Sequence, residues 1–281
     1  MQDGPRYLTD ADINTVTVYT PLTPGSSQGA WTPGSSVDPL QFGQVGQTGD
    51  GRFYRLALIG GTSTIAAGSL LVAPTAATNS TGLAIPATQP SNTATGNGAS
   101  GSSALAKGSL SFNVTNGVTT VTADEFIGGY VDVLQTSGTS EGPVSYKLAG
   151  NTGATSGGVI TLRLAEPLAQ PEALVAATDT VNLRKNPYYN VITSSTAAQP
   201  VGITPVQVPN TSTAQYLAWL QTKGHCMGQE DSTASVAFQN LAQSTTTAGD
   251  VTAVGAFTTY VIGQALTTAT SNPVVTFLNL P

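Results

Sequence analysis

Charged side chains are scarce in this chain of 281 residues. Nine Lys and Arg and fifteen Asp and Glu make up 9% of it, where an ordinary soluble protein carries about 25%. Threonine alone outnumbers them. The formal net charge is −6, and Arg184-Lys185 is the sole adjacent basic pair. A nucleic-acid-binding surface needs clustered cations to neutralise phosphates, so none is expected. Histidine and cysteine occur once each, as His225 and Cys226. That excludes an internal disulfide and a His-rich metal cluster. No apolar run reaches the roughly 18 residues of a membrane-spanning helix. Met1 to Asp12 holds three Asp and no apolar core, so no secretory signal peptide is expected there.

Catalysis needs a nucleophile, a base or a ligand set, and the sequence offers few. Cys226 has only His225 as a partner base. Neighbours on a strand point to opposite faces, so a thiolate–imidazolium pair is not expected. The adjacent acids Asp124-Glu125 and Glu230-Asp231 lack an aromatic surround, unlike a glycosidase cleft, where retaining chemistry sets carboxyls about 5–5.5 Å apart. Both pairs read as solvated turn acids. No Asp-x-Asp-x-Asp-Gly loop points to calcium, and Gly49-Asp50-Gly51 reads as a turn. Gly43, Gly46, Gly49 and Gly51 are followed by neither Lys-Ser/Thr nor a helical pattern, so a phosphate loop is excluded. Sequons at Asn79, Asn113 and Asn210 arise by chance in so Thr-rich a chain. The expectation is a protein that is not an enzyme. No catalytic, cofactor-binding or metal-binding residues are expected, and no nucleic-acid or membrane partner.

What the chain does have is apolar surface. Hydrophobic residues make up 40%, too many for intrinsic disorder, and a compact chain of this size buries roughly three quarters of its unfolded area. Residues 1–49 read as an extended Pro/Gly-rich arm, in which Thr23-Pro24-Gly25-Ser26-Ser27 recurs as Thr32-Pro33-Gly34-Ser35-Ser36. Either this arm is a plain tail or it orders on a neighbouring subunit, a role that Tyr7, Tyr19, Trp31 and Phe42 favour. Residues 50–108 begin a β-core, with strands over 52–59 and 70–72, then a long Ala/Thr/Ser/Asn/Gly excursion over 75–108. Residues 109–186 alternate: Leu110, Phe112 and Val114 share one face, as do Tyr146 with Leu148 and Ile160 with Leu162 and Leu164. Such alternation marks antiparallel strands with one wet face. This region is either a separate subdomain or the completion of the C-terminal sheet. Residues 187–281 continue with strands over 201–208, 216–221, 260–266 and 274–280, while 234–242 fits a short helix or a strand equally well. The fold class is all-β: a β-barrel, β-tulip-like or sandwich core with an N-terminal arm and long Gly/Ser/Thr/Ala-rich loops.

Several short motifs stand in a definite order. A turn and strand, Asp50-Gly51-Arg52-Phe53-Tyr54-Arg55-Leu56-Ala57-Leu58, lead into a Gly, small-residue, Ala-Gly and Leu stretch over 60–70. Gly129-Tyr130-Val131-Asp132-Val133 follows, then Val181-Asn182-Leu183-Arg184-Lys185-Asn186-Pro187-Tyr188 and Val201-Gly202-Ile203. Next come Tyr216 to Gly224 with a Trp-x-Gln-x-x-Gly pattern, Ile262-Gly263-Gln264-Ala265-Leu266, and Phe277-Leu278-Asn279-Leu280. Over about residues 50 to 281 this series resembles the capsid decoration (cement, auxiliary head) proteins of tailed bacteriophages. Residues 1–49 and 75–108 have no counterpart. The resemblance implies a small β-barrel or tulip-like core, assembled as a homotrimer on the capsid exterior of the virion. It further implies the major capsid protein as partner, no cofactor, and stabilisation of the expanded shell by multivalent clamping. The alternative is a head fibre or tail adhesin that binds a host-surface glycan. Such a fibre should show heptads or shaft repeats, and the sequence has only the nine-residue echo in the arm.

Overall fold

The computed structural model describes residues 6–14, 17–18, 42–74, 80–84, 108–117, 120–134, 144–168, 180–196, 198–209, 216–231, 237–254, 261–267 and 274–280. The two Thr-Pro-Gly-Ser-Ser strings, Tyr19, Trp31, most of the 75–108 excursion, Asn79, Asn210, Ala234 and Tyr260 lie outside these residues. The chain divides into two compact units: unit 1 joins residues 1–75 to 187–281, and unit 2 is 76–186.

Before unit 2 the chain forms β1 (Arg6–Tyr7), a single helical turn α1 (Asp10–Ile13), β2 (Thr17–Val18), β3 (Val45–Gln47), β4 (Phe53–Ile59) and β5 (Leu70–Val72). Unit 2 supplies β6 (Ser80–Ala84), β7 (Ser111–Thr115), β8 (Tyr130–Leu134), β9 (Val144–Asn151), β10 (Val159–Leu164) and β11 (Thr180–Arg184). The return to unit 1 adds β12 (Pro200–Ile203), β13 (Tyr216–Gly228), β14 (Asn240–Gln243), β15 (Val251–Ala253), β16 (Gly263–Ala265) and β17 (Val274–Asn279). The described residues are nearly all β, and the pairings are antiparallel apart from β1 with β3.

Unit 1 is built around β13. Its sheet runs β1-β3-β4-β13-β17-β16-β14-β15, with β2 and β12 also paired to β13 and β5 to β12. The run Leu217-Ala218-Trp219-Leu220 is apolar without alternation because both of its faces are covered. Ala218 and Leu220 join Ala57, Ile59 and Leu71 in one cluster. Leu217 and Trp219 join Tyr54, Leu56 and Leu58 in another on the opposite face. After a register shift between Gln221 and Lys223 the strand changes character. Lys223, His225 and Met227 turn to solvent, while Cys226 turns toward a third cluster with Leu241, Val251 and Leu278.

Two pieces of the segment read as an arm belong to this core. The first turn of α1 is fixed by a capping box in which Thr9 Oγ1 accepts from the Asp12 N–H and Asp12 Oδ2 accepts from the Thr9 N–H at 2.9 Å. That turn places Leu8 and Ile13 against Trp219, and Phe42 joins the same cluster. Gly46 on β3 is required there, since a Cβ would meet the Leu8 side chain and lie 3.0 Å from Trp219 Cζ3.

A closed barrel is not formed. β15 returns toward the end of β13 through one parallel bridge, Glu230 to Val251, and a single bridge is not a ladder. With apolar clusters on both faces of the β4–β13 pair, the sandwich alternative describes unit 1. Residues 240–243 are strand β14, while the expected strands over 201–208 and 260–266 shorten to β12 and β16.

Unit 2 is one open six-stranded sheet in the order β6-β11-β8-β9-β10-β7. Its single core collects Phe112, Val114, Val131, Val133, Leu148, Ile160, Leu162, Leu164, Val181 and Leu183 from alternate positions, so one face is dry and the other wet. Leu110 lies before β7 and is 51% exposed, so it does not share the Phe112–Val114 face. Gly129 lets β8 begin tight against β11, because a Cβ would collide with the Arg184 carbonyl oxygen.

Candidate contact surface

The sole Cys–His neighbours are separated by the strand itself. His225 is exposed and stacks edge-on to Phe277, with ring centroids 5.4 Å apart. Cys226 points the other way, its Sγ 2.9 Å from Thr276 Oγ1. Burial pushes its thiol up to about 11, only partly offset by Thr276, so the thiolate needed for nucleophilic attack is disfavoured.

The paired acids differ from expectation. Glu230 and Asp231 are buried, Glu230 to 2% exposure. They are not solvated turn acids, and the 244–247 turn brings hydroxyls onto Asp231. Asp231 Oδ2 accepts from Ser244 Oγ at 2.7 Å and Thr246 Oγ1 at 3.4 Å. Burial, then the charge of Asp231, raises Asp250 above its ordinary value. Asp124 and Glu125 are half-buried and split between two cations: Asp124 pairs with Arg163, and Glu125 with Lys185 at 2.7 Å. Burial pushes Glu125 up, but the Lys185 ammonium and the Thr122 N–H outweigh it and leave the carboxyl below its ordinary value. On the wet face of unit 2, Arg184 lies over Tyr130 and donates to Asp132 at 2.6 and 2.8 Å. Arg184, then Ser145, holds Asp132 below its ordinary value. Arg184 and Lys185 are thus each engaged with a carboxylate. Among the described residues no group of three or more His, Cys, Asp or Glu is placed to hold a metal ion.

Two exposed apolar side chains of unit 1, Phe277 and Met227, lie on the outer face of the β13–β17 pair. Register aligns His225 with Phe277, Phe277 with Gln264, and Gln264 with Asn240, a row across four strands. In the next row Met227 faces Val275. Phe277 is 45% and Met227 54% exposed. At the entry to β14, Phe238 is 75% exposed and held at φ 66°, where its N–H donates to the Ala265 carbonyl at 2.7 Å. A bulky residue at positive φ costs of order 1–3 kcal/mol. Here the strained turn displays an aromatic ring to solvent.

One end of this face opens into a groove of about 650 Å³ between the β3–β4 turn and β13, lined by Asp50, Arg52, Phe53, Lys223, His225 and Phe277. The turn is locked: Arg52 Nε donates to Asp50 Oδ2 at 2.7 Å, and the Thr48 hydroxyl, then Arg52, keeps Asp50 below its ordinary value. Beneath the groove, buried Gln221 donates through Nε2 to the carbonyls of Lys223 at 3.1 Å and His225 at 2.8 Å. These bonds fix the bulged strand whose next residues form the groove wall. Gly224 takes φ +91°, and a Cβ there would lie 3.0 Å from Arg52 Cγ. In the sequence Arg52, Phe53, Lys223 and Phe277 fall in strands or motifs and His225 stands as a candidate base for Cys226, but no local pattern brings them together as a groove. The available signal was the alternation Lys223-x-His225-x-Met227, diluted by Gly224.

No protein-family model, curated protein or solved structure matches the chain.

Proposed function

We propose that this chain is a structural virion protein that decorates and stabilises the outer surface of a tailed-phage capsid by binding the major capsid protein. The observation that carries this reading is the pair of exposed apolar side chains Phe277 and Met227 on the outer face of β17 and β13, with Phe238 displayed at the entry to β14 at the cost of backbone strain. Contiguous exposed apolar side chains mark contact surfaces in soluble proteins. The resemblance of the ordered motifs to decoration proteins supplies the partner and the homotrimer. Three such faces on one rigid trimer act at high effective concentration, so weak single contacts add up to firm attachment.

The test is direct. Purified protein added to empty expanded shells of its phage should co-sediment with them and raise their melting temperature, and sedimentation equilibrium of the free protein should give a trimer. Absence of binding under assembly conditions overturns the reading. Binding to host-cell glycans in its place would favour the fibre or adhesin alternative.

A further inference from the structure

We propose that the groove between the β3–β4 turn and β13 docks an acidic segment of a protein partner, one carboxylate meeting Lys223 and an adjoining apolar side chain resting on Phe277. The inference deepens the attachment reading and rests on it for the identity of the partner. Its warrant is charge complementarity in a chain that has little charge. Nine cations serve all 281 residues. Arg52, Arg163, Arg184 and Lys185 are each engaged by an Asp or Glu at 3.7 Å or less, and half-buried Arg55 donates to the Gly43 carbonyl at 3.0 Å and lies over Tyr188. Lys223 is different: it is exposed on the groove wall, and among the described residues its ammonium has no carboxylate partner.

The wall that carries Lys223 is fixed from behind. Buried Gln221 holds the carbonyls of Lys223 and His225, and the Gly224 bulge lets Arg52 lie alongside. Asp50 neutralises Arg52 and sets the far rim. An incoming carboxylate therefore finds its cation at Lys223, with the His225 ring beside it. The groove ends on Phe277, and the exposed Met227 lies one row further along the same sheet face. An exposed thioether and aromatic ring suit the apolar side chains of a peptide, because Met adapts its shape to varied partners. That continuity favours a protein segment over an acidic saccharide.

The single histidine makes the experiment clean, because the His225 imidazole gives a unique resonance in the full-length protein. The probes are acetyl-Leu-Glu-Leu-Glu-Leu-Glu-amide, the same peptide with Gln for Glu, and trigalacturonate. The Glu peptide should shift the His225 resonance saturably and the Gln peptide should not. The shift should weaken severalfold as salt rises from about 50 to 500 mM, as expected for a solvent-exposed charge pair. Lys223→Glu should lower affinity for the Glu peptide roughly fivefold or more at low salt, with an unchanged melting temperature. Equal shifts with Glu and Gln peptides, or a shift with trigalacturonate alone, would overturn the proposal. Shell binding separates the two readings. If wild type and Lys223→Glu bind shells equally well, the groove proposal fails and attachment stands. If neither binds shells but the Glu peptide still titrates the groove, the attachment reading fails and the groove stands.

Discussion

The two units of this chain handle charge differently. Half of the charged side chains fall in unit 2, although it is the smaller unit. Among the described residues there, three pairs form: Asp124 with Arg163, Glu125 with Lys185 and Asp132 with Arg184. Unit 1 pairs Arg52 with Asp50, buries Glu230 and Asp231, and raises Asp250, while its outer sheet face leaves Phe277 and Met227 in water. Paired charges on a wet face suit solvent. Exposed Phe277 and Met227 near Lys223, unpaired among the described residues, suit contact. The shortage of charge therefore falls mainly on unit 1, which spreads as many charged side chains as unit 2 over more residues.

The largest effect should come from the two-faced core of unit 1. Trp219→Ala should cost about 3–5 kcal/mol, since it empties the site that Leu8, Ile13 and Tyr54 close over. Thermal melting, with amide exchange read in β4 and β13, measures it. A loss under about 1 kcal/mol would mean that residues 6–14 are not held by that cluster. Gly129→Ala probes unit 2, where the new methyl would run into the Arg184 carbonyl. A loss of about 2–3 kcal/mol in urea denaturation is expected, because backbone cannot yield as a side chain can.

The smaller predictions separate the units by pH. Lys185→Met should cost about 1–2 kcal/mol at neutral pH by leaving Glu125 half-buried without its cation. The folded value of Glu125 is depressed, so its stabilisation is complete above the ordinary value of 4.5 and lost as pH falls through the folded value. Urea midpoints of wild type and variant should converge on acidification. Asp250→Asn should act with the opposite sign. The folded value of Asp250 is raised above 3.8, so wild type gains stability as pH falls from above that folded value toward 3.8. The variant should be more stable than wild type at neutral pH by under about 1 kcal/mol, with the gap closing on acidification. A variant less stable at every pH would contradict the buried-acid account of unit 1.

Much of the β architecture was legible wherever local pattern decides structure. Ile160, Leu162 and Leu164 alternate with exposed Arg163 as period 2 requires, and the unbroken apolar run after Tyr216 marks a strand with both faces covered. The signal failed where distant residues decide. β13 extends to Gly228, past the expected end at Gln221, because its second half pairs with β17 on one edge while Lys223, Gly224 and His225 dilute the hydrophobic pattern. Glu230-Asp231 looked wet because the hydroxyls that cover Asp231 lie thirteen and fifteen residues ahead. Leu8, Ile13 and Phe42 are isolated apolar residues among turn formers, and only the Thr9-x-x-Asp12 cap hinted at local order. Closure into a barrel depends on how edge strands pair, which no local period encodes.

Amide exchange of the full-length protein, free and bound to expanded shells, tests the central claim most directly. The account predicts slowed exchange at 223–228 and 274–279 on binding, with the wet face of unit 2 at 130–132 and 145–147 unchanged. Protection confined to unit 2, with the β13–β17 face still exchanging as in the free protein, would contradict it.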